Sequence, residues 1–206
     1  MKKKYKIVLI AIVILILVIV ASIVIFKVLK GSDTKEPVKV VDSIDNFDYT
    51  LDDRDTELMK NTYKELKEVL SATEVDYEAY AKLLSELFVI DLFTMNNKIN
   101  RYDVGSTEYV YPESVENFKT NVEDTIYKTM ENNSNGKRKQ NLPEVSSIDE
   151  STAEASTFTI GEEEYDSYVV TLSWSYEKNL GYDTNATITL VPTNEKLYVV
   201  EYVTGE

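Results

Sequence analysis

Tyr168-Val169-Val170-Thr171-Leu172-Ser173-Trp174-Ser175-Tyr176 decides the fold. Tyr168, Val170, Leu172, Trp174 and Tyr176 alternate with Val169, Thr171, Ser173 and Ser175, the period of a strand with one covered face. Downstream, Asn179 to Asp183 supply a hairpin connection into a strand over residues 184–191. Pro192 to Glu195 then turn the chain into another over 196–203. Upstream, residues 145–160 read as one or two strands ending in Phe158 and Ile160. The sum is a four-stranded antiparallel meander. Its aromatic side, which includes Tyr198 and Tyr202, receives helices, and its small, hydroxylated side stays wet or docks a partner.

Three helices precede the sheet. Leu58, Thr62, Leu66, Val69 and Leu70 recur at helical spacing over 56–70, after Asp55 as a cap. Residues 77–96, capped by Asp76, are apolar around most of the circumference and mark the central buried helix. A third helix opens at Pro112, with Glu113 and Glu116 at the positive end of its dipole. Its buried stripe is Val115, Phe118, Val122, Ile126 and Met130, and residues 132–136 stop it.

The ends of the chain differ in charge. The 206 residues contain 22 Lys plus Arg, 36 Asp plus Glu, no Cys and no His, for a net charge of −14. Without Cys or His there is no disulfide, thiol nucleophile, imidazole base or His-ligated zinc. Residues 1–30 hold six Lys and no acid, so the remainder is strongly acidic and unsuited to nucleic acid. The compact basic run Lys137, Arg138 and Lys139 reads as a solvated turn beside Gly136.

Ile7 to Phe26 reads IVLIAIVILILVIVASIVIF, with no charge and one hydroxyl. Twenty helical residues at 1.5 Å each reach about 30 Å, the thickness of a hydrocarbon core. The run is longer than a cleavable signal core and continues past Ala21 and Ser22, which predicts a retained anchor over 7–29. Lysines tie across the span, but a six-residue tail (1–6) is the harder side to translocate. The expectation is a single-pass cell-membrane protein with a cytoplasmic N-terminus and an extracellular C-terminal domain. Residues 30–55 read as an acidic stalk and 56–206 as the folded domain. Asp53, Asp55 and Glu57 alternate like calcium ligands, but Leu58 stands where the loop needs Gly, so no metal is assigned.

This order of tail, span, three helices and four-stranded antiparallel sheet resembles the nuclear-transport-factor-2-like fold. Within it, the layout is similar to the bitopic assembly proteins of bacterial type IV secretion and conjugation systems. Phe88 to Asp103, FVIDLFTMNNKINRYD, falls at the helix-to-sheet junction of that cone-shaped fold. The resemblance implies an α+β domain, a scaffold without catalysis or cofactor that self-associates and contacts membrane or cell-envelope proteins. The alternative is a tethered small-ligand-binding or enzymatic domain, in which an apolar pocket hosts Asp91 with Tyr168, Trp174 and Tyr198. Ser134 and Lys137 spell SxxK, but in a loop and without the companion motifs of a Ser-Lys hydrolase. Asp91 is conspicuous on the apolar helix, although a lone acid at a helix rim more often meets water or a neighbouring group.

Overall fold

A computed structural model describes residues 39–205. The meander is present as β3 (Val145–Ile160), β4 (Glu163–Tyr176), β5 (Asn185–Thr193) and β6 (Lys196–Thr204), neighbours in that order and all antiparallel. Residues 145–160 are one strand rather than two. The inward face carries Val170, Leu172, Trp174, Ala186, Ile188 and Leu190, all buried. At the tight β5–β6 turn, Asn194 and Glu195 both take positive φ, 51° and 70°. Such turns match the right-handed strand twist.

Three helices lie on the inward face: α1 (Glu57–Leu70), α2 (Tyr77–Phe93) and α3 (Val115–Asp124), the last introduced by a 3-10 turn at Pro112–Ser114. Their rings meet those of the sheet. Phe93 lies 5.1 Å from Trp174, Tyr77 stacks on Tyr168 at 6.3 Å, and Phe88 and Phe118 lie 5.4 and 6.1 Å from Tyr202. The central helix is buried over twelve of its residues, as its near-continuous apolar sequence dictates. The Asp76 carboxylate caps it by accepting from the Glu78 and Ala79 N–H groups.

Three helix boundaries depart from expectation, the first being the end of α2, at Phe93 rather than 96. Thr56, not Asp55, caps α1, its hydroxyl accepting from the Met59 N–H at 3.2 Å. The Asp55 carboxylate instead accepts from the Asp52 N–H at 2.7 Å. The third helix stops at Asp124, before Ile126 and Met130. There Tyr127 turns inward, and its buried hydroxyl donates to the Leu92 carbonyl at 2.7 Å. One hydrogen bond to the otherwise unpaired end of α2 outcompetes another turn of α3.

The larger correction concerns the stalk. Residues 40–52, expected as solvated linker, form an antiparallel hairpin, β1 (Val40–Ile44) and β2 (Tyr49–Asp52). Its acids face water at the turn, while Ile44, Tyr49 and Leu51 enter the core. The Tyr49 hydroxyl lies 2.6 Å from that of Tyr80 and donates to the Leu197 carbonyl at 3.0 Å. Tyr80 in turn accepts from the Leu197 N–H at 3.1 Å. The folded domain therefore begins near residue 40, not 56. Among the described residues no helix is long and apolar enough to cross a membrane. The expected anchor, 7–29, lies outside them.

Candidate functional site

Asp91 occupies the last turn of α2, and both of its oxygens are engaged. One pairs with the Lys98 ammonium, whose side chain is 5% exposed, and the other accepts from the Ser106 backbone N–H. Ser106 also donates its hydroxyl to the Phe88 carbonyl at 2.7 Å. Gly105 makes this closure feasible, because a Cβ there would lie 2.6 Å from the Asp91 carbonyl and 2.9 Å from its carboxyl. The loop after α2 is thus pinned to the helix that precedes it.

A hollow of about 130 Å³ surrounds this clamp, between the β2–α1 junction and residues 98–109. It is lined by five carboxylates, Asp52, Asp55, Asp91, Asp103 and Glu108, and two cations, Arg54 and Lys98. Arg54 bridges Asp103 at 2.6 Å and Asp52 at 3.0 Å. Burial opposes ionisation of Asp103, but Arg54 and the Ile99 N–H outweigh it and hold the carboxyl below its usual range. Glu108 accepts from the Thr50 N–H and hydroxyl at 3.1 and 2.9 Å, and burial raises its pKa. Burial also pushes Asp55 up to about 6, against the Asp52 N–H that it accepts. The fully buried Tyr109 hydroxyl lies beside the Glu108 carboxylate without a well-aligned hydrogen bond.

Chemically, this arrangement holds a loop in place. Asp52, Asp91 and Asp103 are each paired with a cation and Glu108 with Thr50, while Asp55 and Asp103 each keep one oxygen uncommitted among the described residues. Among the described residues no group of three or more acids is placed to hold a metal ion.

The residues expected to share a pocket with Asp91 are elsewhere. Tyr168 stacks on Tyr77, Trp174 is buried against Phe93, and Tyr198 lies under the Lys196 ammonium at 5.0 Å and edge-on to Tyr111 at 6.2 Å. None of the three lines the Asp91 hollow. They follow strand alternation into the core or onto the sheet, whereas Asp91 sits at the far end of a helix. The tyrosine that does line the hollow, Tyr109, lies in a loop with no periodic pattern to mark it. Arg138, read as a solvated turn residue, donates to the Lys98 and Asn96 carbonyls at 2.9 and 2.8 Å.

The other conspicuous surface is the β3–β4 ribbon. Only Tyr168 to Ser173 of β4 pair with β5. The pairs from Thr157–Asp166 to Ile160–Glu163 therefore continue past β5 as two strands, turning at Gly161, whose φ is 66°. From Val145 to Tyr176 the ribbon carries Asp149, Glu150, Glu154, Glu162, Glu163, Glu164 and Asp166, and no Lys or Arg. Most of its residues beyond Asp149 on β3 are exposed or half-buried. No protein-family model, curated protein or solved structure matches this chain.

Proposed function

We propose that this protein is a non-catalytic interaction module, tethered by residues 7–29 and presenting its domain outside the cell membrane through the acidic β3–β4 ribbon. One observation carries the reading: the β3–β4 ribbon runs past the four-stranded part of the sheet with four carboxylates, Glu162, Glu163, Glu164 and Asp166, three more along β3, and no compensating base. An isolated ribbon is marginal in water, so its length contributes little to the stability of the domain and is better explained by contact with something else. The tether rests on the uncharged run from Ile7 to Phe26. The nuclear-transport-factor-2-like cone and a place in a bacterial secretion or conjugation assembly extend the same reading, supported by the order of elements.

The test is site-specific photo-crosslinking in intact cells of the source organism. A photoreactive residue at Thr159, on the ribbon, is compared with one at Glu65, on the exposed side of α1. The reading expects a discrete adduct with a cell-envelope protein from Thr159 only, lost when Glu162, Glu163 and Glu164 are changed to Gln, and a domain cut by protease added to intact cells. Adducts confined to Glu65, or a domain shielded from protease, would overturn it. The small-ligand alternative retains one observation, the convergence of Asp91 and the Tyr109 ring on a single hollow.

A further inference from the structure

We infer that the outer edge of β3 accepts a Lys- or Arg-bearing extended segment of a partner protein as a fifth strand. This deepens the proposed function and rests on it. The starting point is an asymmetry between the sheet's two edges. At β6 the edge is covered where Val199 exchanges backbone hydrogen bonds with the 109–111 segment, its N–H donating to the Tyr109 carbonyl at 2.8 Å and its carbonyl accepting from the Tyr111 N–H at 2.9 Å. At β3, sixteen residues long, every pairing among the described residues is with β4, so the other edge has no partner there.

Natural sheets protect such edges with Pro, with Lys, or with bulges that twist the strand away. No Pro, Lys or Arg occurs from Val145 to Ile160. Its two bulges fall at Val145/Ser147 and Ile148/Glu150, leaving Ser151 to Ile160 in unbroken register with β4. That is a straight template of ten residues, about 33 Å long. Its side chains are mostly small or β-branched: Ser151, Thr152, Ala153, Ala155, Ser156, Thr157, Thr159 and Ile160. They leave an incoming backbone room to approach, which is the geometry of recognition by strand addition.

Charge selects the occupant. A second copy pairing through the same edge would bring a second ribbon with Asp149, Glu150 and Glu154 on its β3 alongside the first, with no base on either ribbon to offset the repulsion. A strand carrying Lys or Arg at alternate positions meets the opposite field, and backbone pairing supplies the specificity that charge alone lacks. Carboxylates alone would bind any polycation, but the regular unpaired edge asks for one that can extend.

The experiment uses the full chain in detergent micelles and three fluorescein-labelled ten-residue peptides: alternating Thr-Lys, the same peptide with consecutive central amides N-methylated so that both edges are blocked, and alternating Thr-Glu. Anisotropy should detect binding of the Thr-Lys peptide, at least tenfold weaker on N-methylation and absent for Thr-Glu. Hydrogen exchange should slow along residues 151–160 in the bound state. Equal affinity for the N-methylated peptide would overturn strand addition while leaving ribbon crosslinks, and so the interaction reading, intact. Failure of every peptide to bind would overturn the inference, and together with absent ribbon crosslinks would remove both. Protein that sediments as a dimer, and becomes a monomer when Ala155 is changed to Pro, would assign the edge to self-pairing instead.

Discussion

Changing Asp91 to Asn keeps the shape of the side chain and an acceptor for the Ser106 N–H but removes the salt-bridge partner that Lys98 has among the described residues. Lys98 is 5% exposed and Asp91 17%, so the ammonium loses its direct partner and keeps only the more distant charges of Asp55 and Asp103. Breaking such a pair from one side costs about 3–5 kcal/mol, and the residual exposure of Asp91 places this case near about 3. For a domain of this size, that lowers the melting temperature by about 6–12 °C. Urea unfolding followed by the fluorescence of Trp174, the only tryptophan and packed against Phe93, reads the change directly. The companion Lys98→Met in the Asp91→Asn background should recover at least half of the loss, because the unpaired charge is then gone. A single variant within about 0.5 kcal/mol of the parent would refute the clamp. A more stable Asp91→Asn protein would point to a carboxylate kept for function at the expense of stability.

Asp55, raised to about 6 by burial, adds stability below its unfolded value of 3.8 that is lost as pH rises through about 6. Asp55→Asn should therefore raise the unfolding midpoint at pH 7.5 and leave it nearly unchanged at pH 3.5. Glu195→Gly, at a φ of 70°, should stabilise the domain by about 1 kcal/mol by relieving left-handed backbone, measured by the same unfolding. Tyr49→Phe deletes the hydroxyl shared with Tyr80 and Leu197, and should cost about 1–2 kcal/mol with no change in the far-ultraviolet spectrum.

Periodicity made the scaffold legible. Tyr168 to Tyr176 alternate without interruption, and the helix from Tyr77 carries both an Asp cap and a continuous apolar surface, so each element is specified locally. The β1–β2 hairpin was concealed because its acids dominate composition, while the residues that bury it, Ile44, Tyr49 and Leu51, are only three. Their partners lie far away in sequence, in α2 and β6. The surroundings of Asp91 were illegible for the same reason: Lys98, Ser106, Arg54 and Glu108 come together through loops whose paths no period encodes. A left-handed Ser106 and a Gly105 with no room for a Cβ are decided by tertiary closure, not by the propensities of their neighbours.

The Tyr49–Leu197 hydrogen bond joins residues 148 positions apart, and Lys196 donates to the Phe47 carbonyl across 149. Contacts of that span raise contact order and slow folding, since a long loop must close before they form. During synthesis the first hairpin can meet Tyr63, Lys67 and Tyr80 early, but the part of its seat formed by Lys196 and Leu197 exists only once the last strand has left the ribosome. The domain thus completes its assembly only at the end of translation, and a message truncated before codon 196 yields a chain whose first hairpin lacks that part of its seat.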